Sequence, residues 1–234
     1  MLLDEFKRKL RKKRNAKKAQ LLQRFFKTGP GEYGEGDIFL GITVPTIRKL
    51  VGEYYDNLSL KQVLRLLKSH FHEERLAALL IFVAKFNKSD YYTKKNIFDI
   101  YTKNTKFINN WDLVDLSAPN IVGQYLIDKD KHILYKFAKS NILWERRIAV
   151  LSTFWCIKHH EFGDSLQLSE ILIGDKEDLI HKAVGWMLRE IGKRALKTEE
   201  KFLNKFSKVM PRTMLRYAIE KFPQAKRRLY LGRP

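Results

Sequence analysis

The chain has 234 residues, 44% of them apolar and 12% aromatic, enough to build a substantial core and to exclude wholesale disorder. Its 46 Lys and Arg against 26 Asp and Glu give a net charge of +20 and a pI near 9.9, the footprint of a polyanion binder, with nucleic acid the first candidate. No apolar run approaches the roughly 18 to 20 residues of a membrane span, and a lone cysteine, Cys156, allows neither an intrachain disulfide nor a cysteine-rich zinc site.

The start, "MLLDEFKRKLRKKRNAKK", has charges where a secretion signal has its apolar centre, so a cytoplasmic protein is expected, nucleoid-associated if the source is bacterial. Leu3, Phe6 and Leu10 recur at helical spacing, which predicts a basic N-terminal helix within 1–27 with the Lys7 to Lys18 run as its solvated face. The next stretch, "TGPGEYGEGDIFLGIT" over 28–43, carries five glycines and a proline. It lacks the Walker lysine and follows no evident strand, so it reads as a shaped connection whose amides are candidates to meet a phosphate backbone.

Thr43 with Pro45 marks a helix start, and Asp164, Ser165 and Ser169 mark others. Apolar residues then recur at three- and four-residue spacing nearly throughout, without sustained alternation, so the chain is expected to be all-α. His70 with His72 and His159 with His160 point to different helical faces with no completing Cys or Glu cluster; they read as structural, and no metal is expected.

A repeat organises these helices. Arg75 in "ERLAALLIF", Asp112 in "NNWDLVDL", Arg147 in "RRIAVLSTF", Lys182 in "HKAVGWMLREIGK" and Arg216 in "PRTMLRYAIEKF" lie 37, 35, 35 and 34 residues apart. A period near 35 with room for two helices per unit predicts one α-solenoid domain of helical hairpins over 1–234, curved, with a basic concave face. At about 100° per residue, Trp111, Asp115 and Trp186 fall off the apolar side formed by Ile148, Val184, Met187 and Ile191. They share that lane with Arg147, Lys158, Lys182, Arg189, Lys193 and Arg216. Trp144 and Trp155 read as packing residues, and Asp112 as the partner of a nearby cation.

Four blocks, "FLGITVPTIRKL" from Phe39, "NWDLVDL" from Asn110, "WERRIAVL" from Trp144 and "KAVGWMLREIGKR" from Lys182, resemble the AlkD-like DNA alkylation repair proteins, in family order, over residues 20 to 225. The resemblance implies a HEAT-like repeat DNA glycosylase that initiates base excision repair on cationic N3- or N7-alkylated purines. It implies Asp115 as the catalytic carboxylate, Trp111 and Trp186 as aromatics lining the lesion site, and Arg147 as a phosphate contact. Arg48, in the first block, joins Lys158, Lys182, Arg189, Lys193 and Arg216 as an expected DNA contact. Asn110 stands where an aromatic can stand in the family.

The chemistry is consistent with a single carboxylate. An Asp of ordinary pKa, about 3.9, is ionised at neutral pH and can stabilise the oxocarbenium-like sugar or orient water. A cationic purine leaves without a proton from a general acid, and its charge is attracted to tryptophan faces. No cofactor is called for, and the expected partner is duplex DNA, met by a monomer without an obligate protein partner. The alternative is a noncatalytic DNA- or RNA-binding solenoid; a protein-binding scaffold would not call for a charge of +20.

Overall fold

The computed structural model describes residues 2–232 and divides after Ser117 into two compact units. The described residues form helices, with no strand and one isolated bridge between Ile38 and Phe71. No described helix is long and apolar enough to cross a membrane.

In the first unit, α1 (Leu2–Arg11) buries Leu3, Phe6 and Leu10, with acidic residues in its first turn and basic ones in its last, as the helix dipole favours. The basic segment is not one helix. It breaks at Asn15, whose side chain caps α2 (Ala16–Phe25) by accepting from the Lys18 amide at 2.9 Å, while its own N–H donates to the Leu40 carbonyl at 2.9 Å. Gly41 explains how the glycine-rich connection passes here. Its φ of 79° suits glycine, and a Cβ would run into the Asn15 carbonyl and the Ala19 nitrogen.

Thr43 caps α3 (Val44–Tyr54) with Pro45 in its first turn, as expected. A Ser59–Gln62 capping box starts α4 (Leu60–Leu67). The central helix is α5 (His72–Lys88), with Leu76 to Phe82 at most 5% exposed; it packs against α3, α4 and α6 (Tyr91–Lys103). A 3₁₀ turn, Thr105–Phe107, leads to α7 (Trp111–Ala118).

Pro119 cannot donate to the fourth residue before it, and there the α-turns give way to a π turn, Pro119–Gly123, followed by α8 (Gln124–Leu126). The second unit continues with α9 (His132–Ala138), α10 (Leu143–Lys158), α11 (Gly163–Ile171), α12 (Asp178–Gly192), α13 (Leu196–Phe206), α14 (Arg212–Ala218) and α15 (Gln224–Gly232). Gly185 lets α14 approach α12 closely, since a Cβ would meet the Met214 carbonyl. Asp164 lies in the first turn of α11, but Ser169 is no helix start: it is inside α11, its hydroxyl donating to the Ser165 carbonyl at 2.7 Å.

The repeat survives in the element order. Its five reference residues fall in α5, α7, α10, α12 and α14, each preceded by a partner helix, so the chain is an all-α succession of hairpins. Its register between α5 and α10 is one residue different from that expected. The Phe71 amide donates to the Ser69 hydroxyl and Arg75 to the Ser69 carbonyl; likewise the Ile142 amide donates to the Ser140 hydroxyl and Arg146 to the Ser140 carbonyl. Arg146, not Arg147, is therefore the counterpart of Arg75, and one residue on a helix is a rotation of about 100°.

Candidate active site

The four residues that open α5, His72-Glu73-Glu74-Arg75, are all at most 5% exposed, and each polar end reaches a different part of the first unit. Glu73 accepts the amides of Leu40, Gly41 and Ile42 at 2.8, 2.7 and 3.1 Å. Glu74 accepts from Arg11 at 2.6 Å and Ser69 at 2.7 Å. The loop amides expected to be open to phosphate are thus occupied from within. Those of Gly29 and Gly31 go to the Glu32 and Glu35 carboxylates.

Asp37, at the end of the loop, is the acceptor for four side chains: His72 at 3.0 Å, Arg75 at 2.5 Å, Asn109 at 2.9 Å and Asn110 at 3.2 Å. Burial pushes its carboxyl pKa up, but these donors hold it below the usual value. The other His72 nitrogen meets Asp112 at 2.9 Å. Burial alone would lower the imidazole pKa; hydrogen bonds and charge from Asp112 and Asp37 outweigh it and raise it to about 9. His72 is then a buried cation between two carboxylates, and it is the partner that the sequence left unnamed for Asp112.

This bridge fixes the start of α7. Asn110 accepts the Trp111 amide at 2.9 Å, so an asparagine here serves as a hydrogen-bonding tie. The Trp111 ring is half-buried, stacked at 5.1 Å on Phe26, which stacks at 4.9 Å on Phe39, which stacks at 4.3 Å on His72. Phe25, 64% exposed, meets Trp111 edge-on at 6.0 Å. Asp115 lies one turn beyond Trp111 on the same side of α7, half-buried, its charge adding to the burial that pushes the Tyr101 hydroxyl pKa up.

In the second unit Trp186 is half-buried and packs at 5.8 Å against Phe154, a residue that the sequence reading passed over. Lys158, one turn beyond Phe154, is exposed and stands 4.6 Å over its ring and 5.7 Å from that of Trp155.

The model of the family described as DNA alkylation repair enzyme matches residues 6–222. The chain belongs to that family. Comparison with curated proteins finds no match. Among solved structures, the chain is similar to a protein from Enterococcus faecalis titled a predicted DNA alkylation repair enzyme, with TM-score 0.71 and 16% identity over 91% of this chain and 98% of the other. It is also similar to AlkD2 from Streptococcus mutans, with TM-score 0.57 and 16% identity over 88% and 97% of the two chains. At such identity the likeness is one of fold.

The DNA contacts expected from the sequence divide by exposure. Lys158, Lys193, Arg216 and Arg48 are exposed, and Lys182 and Arg189 are partly so. Lys182 pairs with Asp178 at 2.6 Å, Lys193 with Glu190 at 2.6 Å, and Arg189 with Glu220. The Lys182 and Lys193 pairs, each within one helical turn, are worth only about 0.3–0.5 kcal/mol, little against a phosphate, whereas Arg189 reaches Glu220 from a different element. Arg147 does not belong in the exposed lane: it is 5% exposed, and its guanidinium donates to the Leu179 carbonyl. The shifted repeat register is the reason.

Proposed function

We propose that this member of the family is a monofunctional DNA glycosylase that hydrolyses the N-glycosidic bond of cationic N3- or N7-alkylated purines in duplex DNA, acting as a monomer. The observation that carries this reading is the pairing on α7 of Trp111 with Asp115, one turn apart, on a helix whose first residues are tied down by the Asp112–His72–Asp37 bridge. Catalysis by charge stabilisation depends on such prior fixing, because a carboxylate that need not reorganise keeps its full effect on developing positive charge.

In the proposed reaction Asp115 stabilises the sugar as the base departs and orients the water that attacks it. The alkylated purine leaves as a neutral base, so no acid is required. Trp111 offers its face to the cationic base, a contact worth roughly 0.5–2 kcal/mol. Trp186 with Phe154 supplies a second aromatic surface, and Lys158, Lys182, Arg189, Lys193, Arg216 and Arg48 meet phosphates. No lysine stands on α7, and the proposal includes no Schiff base and no strand cleavage.

The test is release of free base from duplex DNA containing N7-methylguanine. Asp115→Asn removes the charge at nearly constant volume and is expected to lower release by about 100-fold or more while DNA binding persists. Undiminished release by that variant overturns the role of Asp115. Tight binding without release by the wild type turns the reading to a noncatalytic DNA-binding protein.

A further inference from the structure

The first 27 residues hold eleven Lys and Arg against only Asp4 and Glu5, so a large share of the net +20 is concentrated there. This is not a loose tail. Leu3, Phe6 and Leu10 are buried, Phe6 meets Tyr54 of α3 edge-on at 5.5 Å, and Lys7 and Arg11 hold the buried Glu74 at 3.3 and 2.6 Å. The fold therefore anchors the backbone that carries the remaining cations.

Lys12, Lys13 and Arg14 on the turn after α1, and Lys49 on α3, are exposed and have no carboxylate within ion-pair distance among the described residues. Two grooves meet at Lys12. One, of about 580 Å³, runs between Lys9, Lys12 and Lys13 on one wall and Thr46, Lys49 and a single carboxylate, Glu53, on the other. The second, of about 650 Å³, continues along α1 from Asp4 past Arg8 and Arg11 to Arg14, five cations against one carboxylate. Like charges gathered on one anchored surface repel one another, and a polyanion with regularly spaced charges relieves that repulsion.

We propose that this corner of α1 and α3 is a second backbone-binding surface, which holds double-stranded DNA outside the lesion site. The proposal rests on the reading of the protein as one that acts on DNA. Duplex DNA carries a negative charge about every 1.7 Å along its axis, so adjoining cationic grooves can engage several phosphates at once. An anionic membrane is the poorer fit, because the apolar side of α1 is turned into the core and is not available to insert.

The experiment compares the wild type with a variant carrying Lys12→Gln, Lys13→Gln, Arg14→Gln and Lys49→Gln. A charge-matched control replaces the exposed Lys61, Lys103, Lys197 and Lys208 by Gln. Affinity for undamaged duplexes of about one and about three helical turns is measured by fluorescence anisotropy over a range of salt. The corner variant is expected to lose about 10-fold or more in affinity for the longer duplex, with a salt slope shallower by about 0.9 per lost contact. Its affinity for the short duplex, and the control's for both, should stay near wild type.

Equal weakening of the corner and control variants on both duplexes overturns the proposal. Loss of binding to phosphatidylserine vesicles by the corner variant, with duplex binding untouched, overturns it in favour of a lipid surface. A wild type that binds neither duplex overturns the DNA-acting reading as well, which separates that failure from the failure of this surface alone.

Discussion

Raising the pH should weaken the first unit through one residue, His72. Its ring is 1% exposed, with Asp37 and Asp112 on its two nitrogens, Arg75, Asn109 and Asn110 on Asp37, and the rings of Phe39 and Phe26 beside it. The folded imidazole holds its proton to about pH 9, against a usual 6.5. The folded pKa is raised, so the stabilisation is fully present below about pH 6.5 and is lost as pH rises through about 9. At about 1.4 kcal/mol per decade the interval corresponds to about 3 kcal/mol, a large part of the 5–15 kcal/mol typical of a domain. Urea unfolding of the wild type at pH 6.5, 8 and 9.5 should show the midpoint falling. His72→Gln, which removes the titrating ring, should be weaker at pH 6.5 and its midpoint should fall less than that of the wild type over the same interval. Parallel pH profiles for the two proteins would refute a charged His72 as the source of the dependence.

The second unit should show the opposite kind of group. Burial raises the Glu199 carboxyl to about 8 against Arg189 and Lys226, and its Oε1 has no hydrogen-bond partner among the described residues. With that pKa raised, the residue costs stability as pH rises from 4.5 through 8, so Glu199→Gln should be more stable than wild type at pH 9, by roughly 1–3 kcal/mol, and little changed at pH 5. Arg147→Ala should destabilise by about 2 kcal/mol in urea unfolding, since it strips a buried stem and a donor to the Leu179 carbonyl; a stability within about 0.5 kcal/mol of wild type would return Arg147 to the surface. In matched duplexes, N7-methylguanine and a bulky cationic N3 or N7 adduct should both be released and uracil left in place, because Asp115 supplies charge but no proton to an anionic leaving group. Efficient uracil removal would contradict that chemistry.

Much of this protein is determined by the sequence by itself. Composition marks a polyanion binder. Apolar spacing marks helices, the period near 35 marks hairpins, and local chemistry marks the Thr43–Pro45 helix start; each of these signals lies within a few residues or recurs at a constant interval. The four family blocks likewise stand in the linear order.

What only tertiary structure decided are the partnerships of polar residues far apart in the chain. His72 meets Asp37 and Asp112, 35 and 40 residues away, and Glu73 closes on the amides of Leu40 to Ile42. No periodicity announces them, since a carboxylate that fills a backbone nest and one that faces water are the same letter. The exposure of Arg147 was undecidable for a related reason: a repeat period is known to about a residue, and one residue turns a side chain by about 100°, from solvent to core. The bonds from Arg75 and Arg146 to their serine carbonyls set that register, because a hydrogen bond has a fixed length and direction where hydrophobic spacing tolerates either choice.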